Sequence, residues 1–585
     1  MVFHSRSDGK HRHFDRSLAP RLAGPSWADL AAIALLLVIA LLVIVGVGQM
    51  RQPLTALNAA PVDLQLLHLP EYALLSTLRM FGALAASLIF TLTVATLAAK
   101  SRKAELIIVP ALDILQSVPV LGFLTFTVMF FMNLFPGRQL GVECAAIFAI
   151  FTSQAWNMAF SFYQSLRTVP KDLDEVSRQF GFSSWRRFVR LELPFAMPGL
   201  VWNAMMSMSG GWFFVVASEA IAVGNTTIAL PGIGSWLALA IERKDFGAVA
   251  WAVFAMAVVI VLYDQLIFRP IVAWADKFRF EQTASRERPR SWVYDLARRT
   301  RLLPSIIELL LVAGRTLSAL SWSAPPRRQT LHPNKHIIRV PDGLWIGFIA
   351  VVCFGASLWL LRFISTSLTA ADIISIVGLG FATLVRVAVL IAIASIIWVP
   401  IGVWIGLRPT WSERLQPVAQ FLAAFPANVL FPFAVVIIIG LRLDPNIWLS
   451  PLMILGTQWY ILFNVIAGAS ALPNDLREAA RTFNMRGLQW WRQVALPGIF
   501  PYFVTGALTA SGGSWNASIV AESVSWGDKR LQATGLGSFI ADATAAGDLP
   551  RVAVGIVVMS AFVVTLNRTL WRPLYRYAER RLRFD

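Results

Sequence analysis

The residue types that could do work in this chain recur at a fixed interval. Glu175 returns as Glu478, Gly181 as Asn484, Leu193 as Leu496 and Pro194 as Pro497, each 303 positions later. Glu478 is followed by Ala479 and Ala480, where the first copy reads Val176 and Ser177. No Ser-His-Asp arrangement and no metal-ligand motif can be argued, so the work on offer is mechanical. A carboxylate near a helix start is favoured by the helix dipole. Glycine or asparagine admits a reversed backbone, and proline removes a backbone donor and blocks helix continuation. Together these describe a short polar loop that something in water can grip.

A second repeated set follows. Trp212 and Glu219 return as Trp515 and Glu522, and Gly232, Gly234 and Ser235 as Gly535, Gly537 and Ser538. Glu219 and Glu522 lie late in apolar stretches, where a carboxylate is costly enough to mark a site by default. Each either lines a polar path or braces neighbouring helices. Ser218, Ser523 and Asn516 add hydroxyl and amide contacts to that set. Gln116 stands just before Pro119 in another apolar segment, where a proline bend can expose carbonyls to a cavity or simply bend the chain. Arg79 and Arg386 stand at the entrances of two further segments, suited to drawing anions or to reaching headgroups.

Apolar helices must position these residues. Of 585 residues, 57% are hydrophobic and only 14% charged, against about 25% charged in soluble domains. Mean hydropathy is +0.63. A chain of this kind is dissolved in lipid. Its net charge of +18 flanks apolar segments, a distribution that orients helices in a membrane and argues against nucleic acid. With about 20 apolar residues needed per crossing, the first half offers six segments: 30–48, 80–99, 107–131, 140–163, 198–223 and 248–268. The second half offers 343–361, 387–407, 418–441, 447–472, 501–524 and 552–571. The expected fold is an all-α membrane protein of about 12 transmembrane helices in two parallel six-helix halves. Residues 1–26 form a tail, 27–270 the first half, 271–342 a basic linker and 343–585 the second half. Lys and Arg counts put the tail, both termini and both repeated loops on the cytosolic side. Within the linker, 302–322 is a tempting thirteenth crossing. It reads better as an amphipathic surface helix, because another crossing would invert the second half.

At this point the spacing supports a resemblance. Glutamate, six residues to glycine, then an aliphatic residue and Leu-Pro is similar to the EAA loop of ABC-importer permeases with the MetI-like fold. The pattern of Trp, Glu and Gly-x-Gly resembles the nitrate, sulfonate, taurine and bicarbonate branch, here fused at double length. The resemblance implies that Glu175, Gly181, Leu193, Pro194, Glu478, Ala479, Ala480, Asn484, Leu496 and Pro497 couple the chain to ATPases. It also implies a translocation pathway near Gln116, Trp212, Ser218, Glu219, Trp515, Asn516, Glu522 and Ser523. Implied partners are two cytosolic ABC ATPase subunits, which carry ATP and Mg, and a periplasmic or lipid-anchored solute-binding protein. The setting is the bacterial inner membrane, with a small solute, anions included, moved by alternating access. The chain has no G-x-x-x-x-G-K-[ST] loop for ATP, no catalytic residues and no metal site. An ion-coupled secondary transporter of twelve spans is the competing reading. It explains the two halves but not the repeated loops.

Overall fold

The computed structural model describes residues 27–50, 62–116, 118–223, 226–278, 291–300, 342–365 and 368–581. The chain divides into two compact units. One comprises residues 1–41 and 292–325. Its described parts are the start of α1 (Trp27–Met50) and a short helix, Trp292–Arg299. The expected tail and the surface helix at 302–322 lie outside the described residues. The other unit comprises 42–291 and 326–585 and holds both halves.

In the first half, α2 (Leu69–Phe90) continues through a π-turn to Lys100. It is followed by α3 (Arg102–Leu115), α4 (Leu124–Leu134), α5 (Gln139–Arg167), α6 (Lys171–Gln179) and α7 (Leu193–Glu219). An antiparallel hairpin, β1 (Ala220–Val223) with β2 (Thr226–Ala229), leads to α8 (Ile233–Glu242) and α9 (Phe246–Tyr263). The second half runs α10 (Asp342–Ser365), α11 (Ala370–Gly406), α12 (Pro409–Ala424), α13 (Phe431–Gly440), α14 (Pro445–Trp448) and α15 (Ser450–Ile454). It continues with α16 (Gln458–Ser470), α17 (Asn474–Thr482) and α18 (Leu496–Ala521). The hairpin β3 (Ser523–Trp526) with β4 (Lys529–Gln532), α19 (Leu536–Ala546), α20 (Leu549–Leu566) and α21 (Arg572–Arg581) complete it.

Among the described residues, seven helices are long and apolar enough to cross a membrane, and two bent pairs bring the count to nine. Each of the twelve expected segments overlaps a helix or a helix pair, including the 29-residue α5. Two expectations need correction. The third segment of each half is not continuous, and neither is the fourth of the second half, which bends by 42° between Pro445–Ile454 and Gln458–Ser470. The chain leaves the helix between Leu115 and Leu121, and again at Phe425, which is extended at ψ 126° before Pro426. A residue preceding proline is pushed out of the helical region, and in the second half the axis turns by 78°. The fifth segments stop at Glu219 and Ala521 rather than running to Val223 and Val524, because the chain there pairs into hairpins.

The helices pack through small residues. Helix α5 lies along α7 with Ala145, Ala149, Ala155 and Ala159 buried. Helix α16 lies along α18, where a Cβ on Gly506 would come within 2.8 Å of the Tyr460 carbonyl. Small side chains let backbones approach where lipid supplies no hydrophobic drive between helices. Pulling on α5 or α7 therefore moves a packed pair.

Candidate functional site

The repeated loops fold alike. Pro170 and Pro473 precede α6 and α17, and each nine-residue helix places its glutamate fifth. Glu175 and Glu478 are exposed at mid-helix, not near the start as expected. The first-turn acids that meet the dipole are Asp172, Asp174 and Asp475, since that effect fades beyond the first turn. Both helices end in the same double cap. Phe182 N–H donates to Ser177 O at 3.1 Å and Gly181 N–H to Arg178 O at 2.9 Å. Met485 N–H donates to Ala480 O at 2.9 Å and Asn484 N–H to Arg481 O at 3.0 Å. This Schellman geometry needs a left-handed residue, and Gly181 (φ 66°) and Asn484 (φ 53°) supply it.

Leu193-Pro194 and Leu496-Pro497 do not end the helix, contrary to expectation. The chain stays helical from Ser184 to Glu219 and from Gly487 to Ala521. It accommodates each proline by widening into a π-turn, Phe188–Glu192 and Trp491–Ala495. Each loop is thus a rigid handle on a membrane helix. Ion pairs tie the first handle down: Lys100 to Glu192 at 2.5 Å and Arg187 to Asp174 at 3.2 Å. Arg477 bonds the Leu407 carbonyl at 3.4 Å in the second. The sequence reading overlooked Phe180 and Phe483, exposed at 75% and 73%, and Trp185 and Leu488, exposed at 57% and 73%. Both pairs keep the 303 spacing, the one signal by which they could have been found.

Beyond the far ends of α7 and α18 lie two buried clamps. In the first, Arg79 is bidentate to Glu143 (Nε to Oε2 2.6 Å, Nη2 to Oε1 2.7 Å) and bonds Glu219 Oε1 at 2.7 Å. Its Nη1 also donates to the Pro231 carbonyl at 2.8 Å. Ile233 N–H donates to Ser76 Oγ (3.0 Å), which donates to Glu219 Oε1 (2.6 Å), while Gly234 N–H donates to Oε2 (2.7 Å). The carboxylate therefore caps α8, whose N–H groups favour negative charge. In the second clamp, Arg386 bonds Glu522 (3.1 Å), the Thr534 carbonyl (2.9 Å) and Asn446 Oδ1 (3.2 Å). Leu536 N–H donates to Thr383 Oγ1 (2.9 Å), which donates to Glu522 (2.9 Å); Gly537 N–H meets the carboxylate at 2.7 Å. The Gly-x-Gly motif now has a cause. A Cβ at Gly232 or Gly535 would overlap the carboxylate, and one at Gly234 or Gly537 would overlap the Val216 or Ser518 carbonyl. Neither arginine reaches out to anions or headgroups.

Between loops and clamps, a cavity of about 1000 Å³ opens among α3, α5, α7, α16, α18 and α20. Gln116 and Asn516 are in its wall. Trp212, Ser218, Glu219, Trp515, Glu522 and Ser523 are not among its lining residues. Trp212 stacks on Tyr263 and Trp515 on Phe562, with centroids 5.7 and 6.1 Å apart. Ser218 donates to its own helix at Val215 O (3.2 Å), and Ser523 accepts from Arg530 at 2.7 Å. Crossed bonds between the halves close the clamp end. Val120 N–H donates to Asn516 Oδ1 (2.8 Å), and Asn428 Nδ2 donates to Phe213 O (3.2 Å). Beyond them, Lys244 pairs with Asp528 at 2.8 Å, and Gly527 N–H donates to Ile241 O at 3.0 Å.

The family described as binding-protein-dependent transport system inner membrane component matches residues 87–269 and 398–584. The bicarbonate transport system permease protein CmpB of Synechococcus elongatus is 32% identical over 188 residues, covering 32% of this chain and 64% of CmpB. The nitrate import permease protein NrtB of Synechocystis is 27% identical over 194 residues, 33% of this chain and 67% of NrtB. The glycine betaine/proline betaine transport system permease protein ProW of Escherichia coli is 29% identical over 168 residues, 29% of this chain and 43% of ProW. The matched stretch thus spans a little under two thirds of CmpB and less than half of ProW.

Proposed function

The chain belongs to the family of binding-protein-dependent transport system inner membrane components, and from that premise we propose that it is a double-length permease of an ATP-driven importer. Two ATPase subunits, which carry the ATP and Mg, grip α6 and α17. A solute-binding protein delivers a small solute to the opposite face. Both termini and both loops lie on the cytosolic side of a bacterial inner membrane. Bicarbonate, nitrate and betaines, named for the relatives, are the first solutes to try.

The observation that carries this reading is the twin handle. Each loop offers an exposed glutamate, an exposed phenylalanine five residues on and a second apolar residue beyond the cap, at identical spacing. Charged and apolar groups displayed on a capped helix suit a socket in a soluble partner. The continuous helix behind each cap carries displacement to the cavity wall. Nucleotide-driven closure of two ATPases would draw the handles together and reopen the crossed bonds at the far end.

The test is co-purification of the full chain with an ABC ATPase subunit co-expressed from the same organism. The wild type should retain two ATPase copies. The double variant Phe180→Ser/Phe483→Ser should lose at least about tenfold in retained ATPase, as expected when anchors at an interface centre are removed. Full retention together with solute-stimulated ATP hydrolysis in that variant would refute the coupling role.

A further inference from the structure

The two halves line the cavity unequally. Asn567, Trp571 and Arg572, which join α20 to α21, are in its wall. Their counterparts 303 positions earlier, Asp264, Phe268 and Arg269, are not among its lining residues. Across the same seam stands α3, which contributes Asp113, Leu115 and Gln116. Upstream of the fourth segments the repeat runs at 307, so Asp113 corresponds to Gln420 of α12. The halves therefore meet along two related seams: α3 with α20 and α21, and α12 with α9 and the helix Arg269–Ala275.

The second seam is packed. Helix α12 lies against α7 and α9, and Gln420 Nε2 donates to Met205 Sδ at 2.8 Å. Arg269 stays on its own half, paired with Asp264 at 3.1 Å. The first seam is packed only at its clamp end, where residues 121–123 meet α20. Toward the loops both of its sides are cavity wall, and one ion pair crosses it. Asn567 stands where the first half has Asp264, so it offers Arg572 no carboxylate, and the guanidinium reaches over to Asp113 of the other half. Arg576, one turn on and on the same face of α21, lines the cavity too. The height of the pair follows from α3. That helix starts beside Lys100, which holds Glu192 of the first handle, and leads to the crossed bond at Val120. Asp113 is three residues on the loop side of Gln116, between the cavity and the water at the loops.

We propose that solute leaves the cavity through the seam between α3 and α21, not through its packed counterpart, and that Asp113 and Arg572 form the gate across it. This rests on the permease reading and adds to it a route and two residues. Asp113 and Arg572 are 24% and 48% exposed, and an ion pair so open to water is weak. That suits a contact which breaks in every cycle, because water takes over each charge as the partner withdraws. A dry pair such as Arg79 with Glu143 could not open at that cost.

The experiment reads access to a reporter thiol in the cavity wall. Thr509, an exposed lining residue of α18, is changed by Thr509→Cys in a Cys144→Ser/Cys353→Ser background. The full chain is held in nanodiscs and its folding checked by thermal unfolding. The probes are two water-soluble methanethiosulfonates, one bearing a sulfonate and the other a trimethylammonium group. Asp113→Asn and Arg572→Gln should each speed both reagents by about two- to fivefold, the range that a weak exposed pair allows. The exchange Asp113→Arg/Arg572→Asp should return both rates to those of the reporter chain. Arg269→Gln, at the matching place in the packed seam, should leave both rates unchanged. A change of local charge alone would move the two reagents in opposite directions, and that result would overturn the gate. So would an unchanged rate in Asp113→Asn, failure of the exchange to restore it, or equal acceleration by Arg269→Gln. No ATPase and no solute enter the assay, so its failure and failure of the coupling experiment are separate results.

Discussion

Arg79 and Arg386 hold equivalent places in the two halves, yet their surroundings differ. Arg79 has no exposure and is shared by two carboxylates. Arg386 is 14% exposed and shared by one carboxylate and the amide of Asn446, the residue 303 positions after Glu143. The backbone work is otherwise the same: a carbonyl for the guanidinium, a hydroxyl relay, and amide donors from the start of α8 or α19. A buried charge is tolerated only when neighbours compensate it. The first half compensates with charge, the second with a dipole and some water. The first clamp is therefore the rigid one, and the second is where the clamp end of the bundle yields first.

The largest effect should come from Arg79→Met, which strands Glu143 and Glu219 in a dry interior. Breaking a buried pair by removing one partner costs about 3–5 kcal/mol. We expect loss of most folded protein on size exclusion, with partial recovery in Arg79→Met/Glu143→Gln/Glu219→Gln. A single variant as stable as wild type would show that the first clamp braces nothing. Arg386→Met should cost less, about 1–3 kcal/mol, the price of an unsatisfied buried group, because Thr383 and Gly537 still satisfy Glu522. Asn446→Glu would make the second clamp a copy of the first and should raise the unfolding temperature. Equal losses for Arg79→Met and Arg386→Met would erase the contrast.

Much of this was legible in the sequence and some was not. The 303 interval exposed the loops, the carboxylates and Gly-x-Gly, because all lie downstream of the fourth apolar segments. Arg79 and Arg386 are 307 apart, as are Ser76 and Thr383, since the second half is four residues shorter between its second and fourth segments. Both arginines were legible as a pair at segment entrances, but that slip hid their link to Glu219 and Glu522. Glu143 stayed hidden because Asn446 replaces it. Gln116 and Asn516 apart, the cavity amides, Asn157, Asn203 and Asn464 among them, were unreadable for another reason: a lone Asn or Gln on an apolar helix looks the same whether it faces a neighbour, lipid headgroups or a void. The π-turns were missed because proline inside a helical pattern is ordinarily read as a stop.

The loops give a smaller contrast. Asn484→Ala and Gly181→Ala each force a Cβ-bearing residue other than Asn into the left-handed region, at about 1–2 kcal/mol. Asn484→Gly should stay within a few tenths of wild type, because glycine adopts that backbone freely. Helix content of the loops, followed by hydrogen exchange, should fall in both alanine variants and hold in the glycine one. Exchange in Asn484→Ala matching wild type would mean the cap is not set by that residue.

The smallest effect should lie at the Lys244–Asp528 contact between the halves. Asp528 is 95% exposed, and such pairs contribute little and weaken with salt. The hydrogen bond from Lys244, helped by its charge, holds the Asp528 carboxyl below its ordinary 3.8. A lowered carboxylate contributes fully above its unfolded value and loses that contribution as pH falls through the folded one. Between pH 6 and 8 the contact therefore does not titrate. Asp528→Asn should speed exchange across Ser523–Gln532 by less than about threefold at pH 7, equally at pH 6 and 8, and less in high salt. The difference should vanish only in strong acid. A difference that titrates near neutrality would assign the hairpin's hold to another group and remove this ion pair from the contact that joins the two halves.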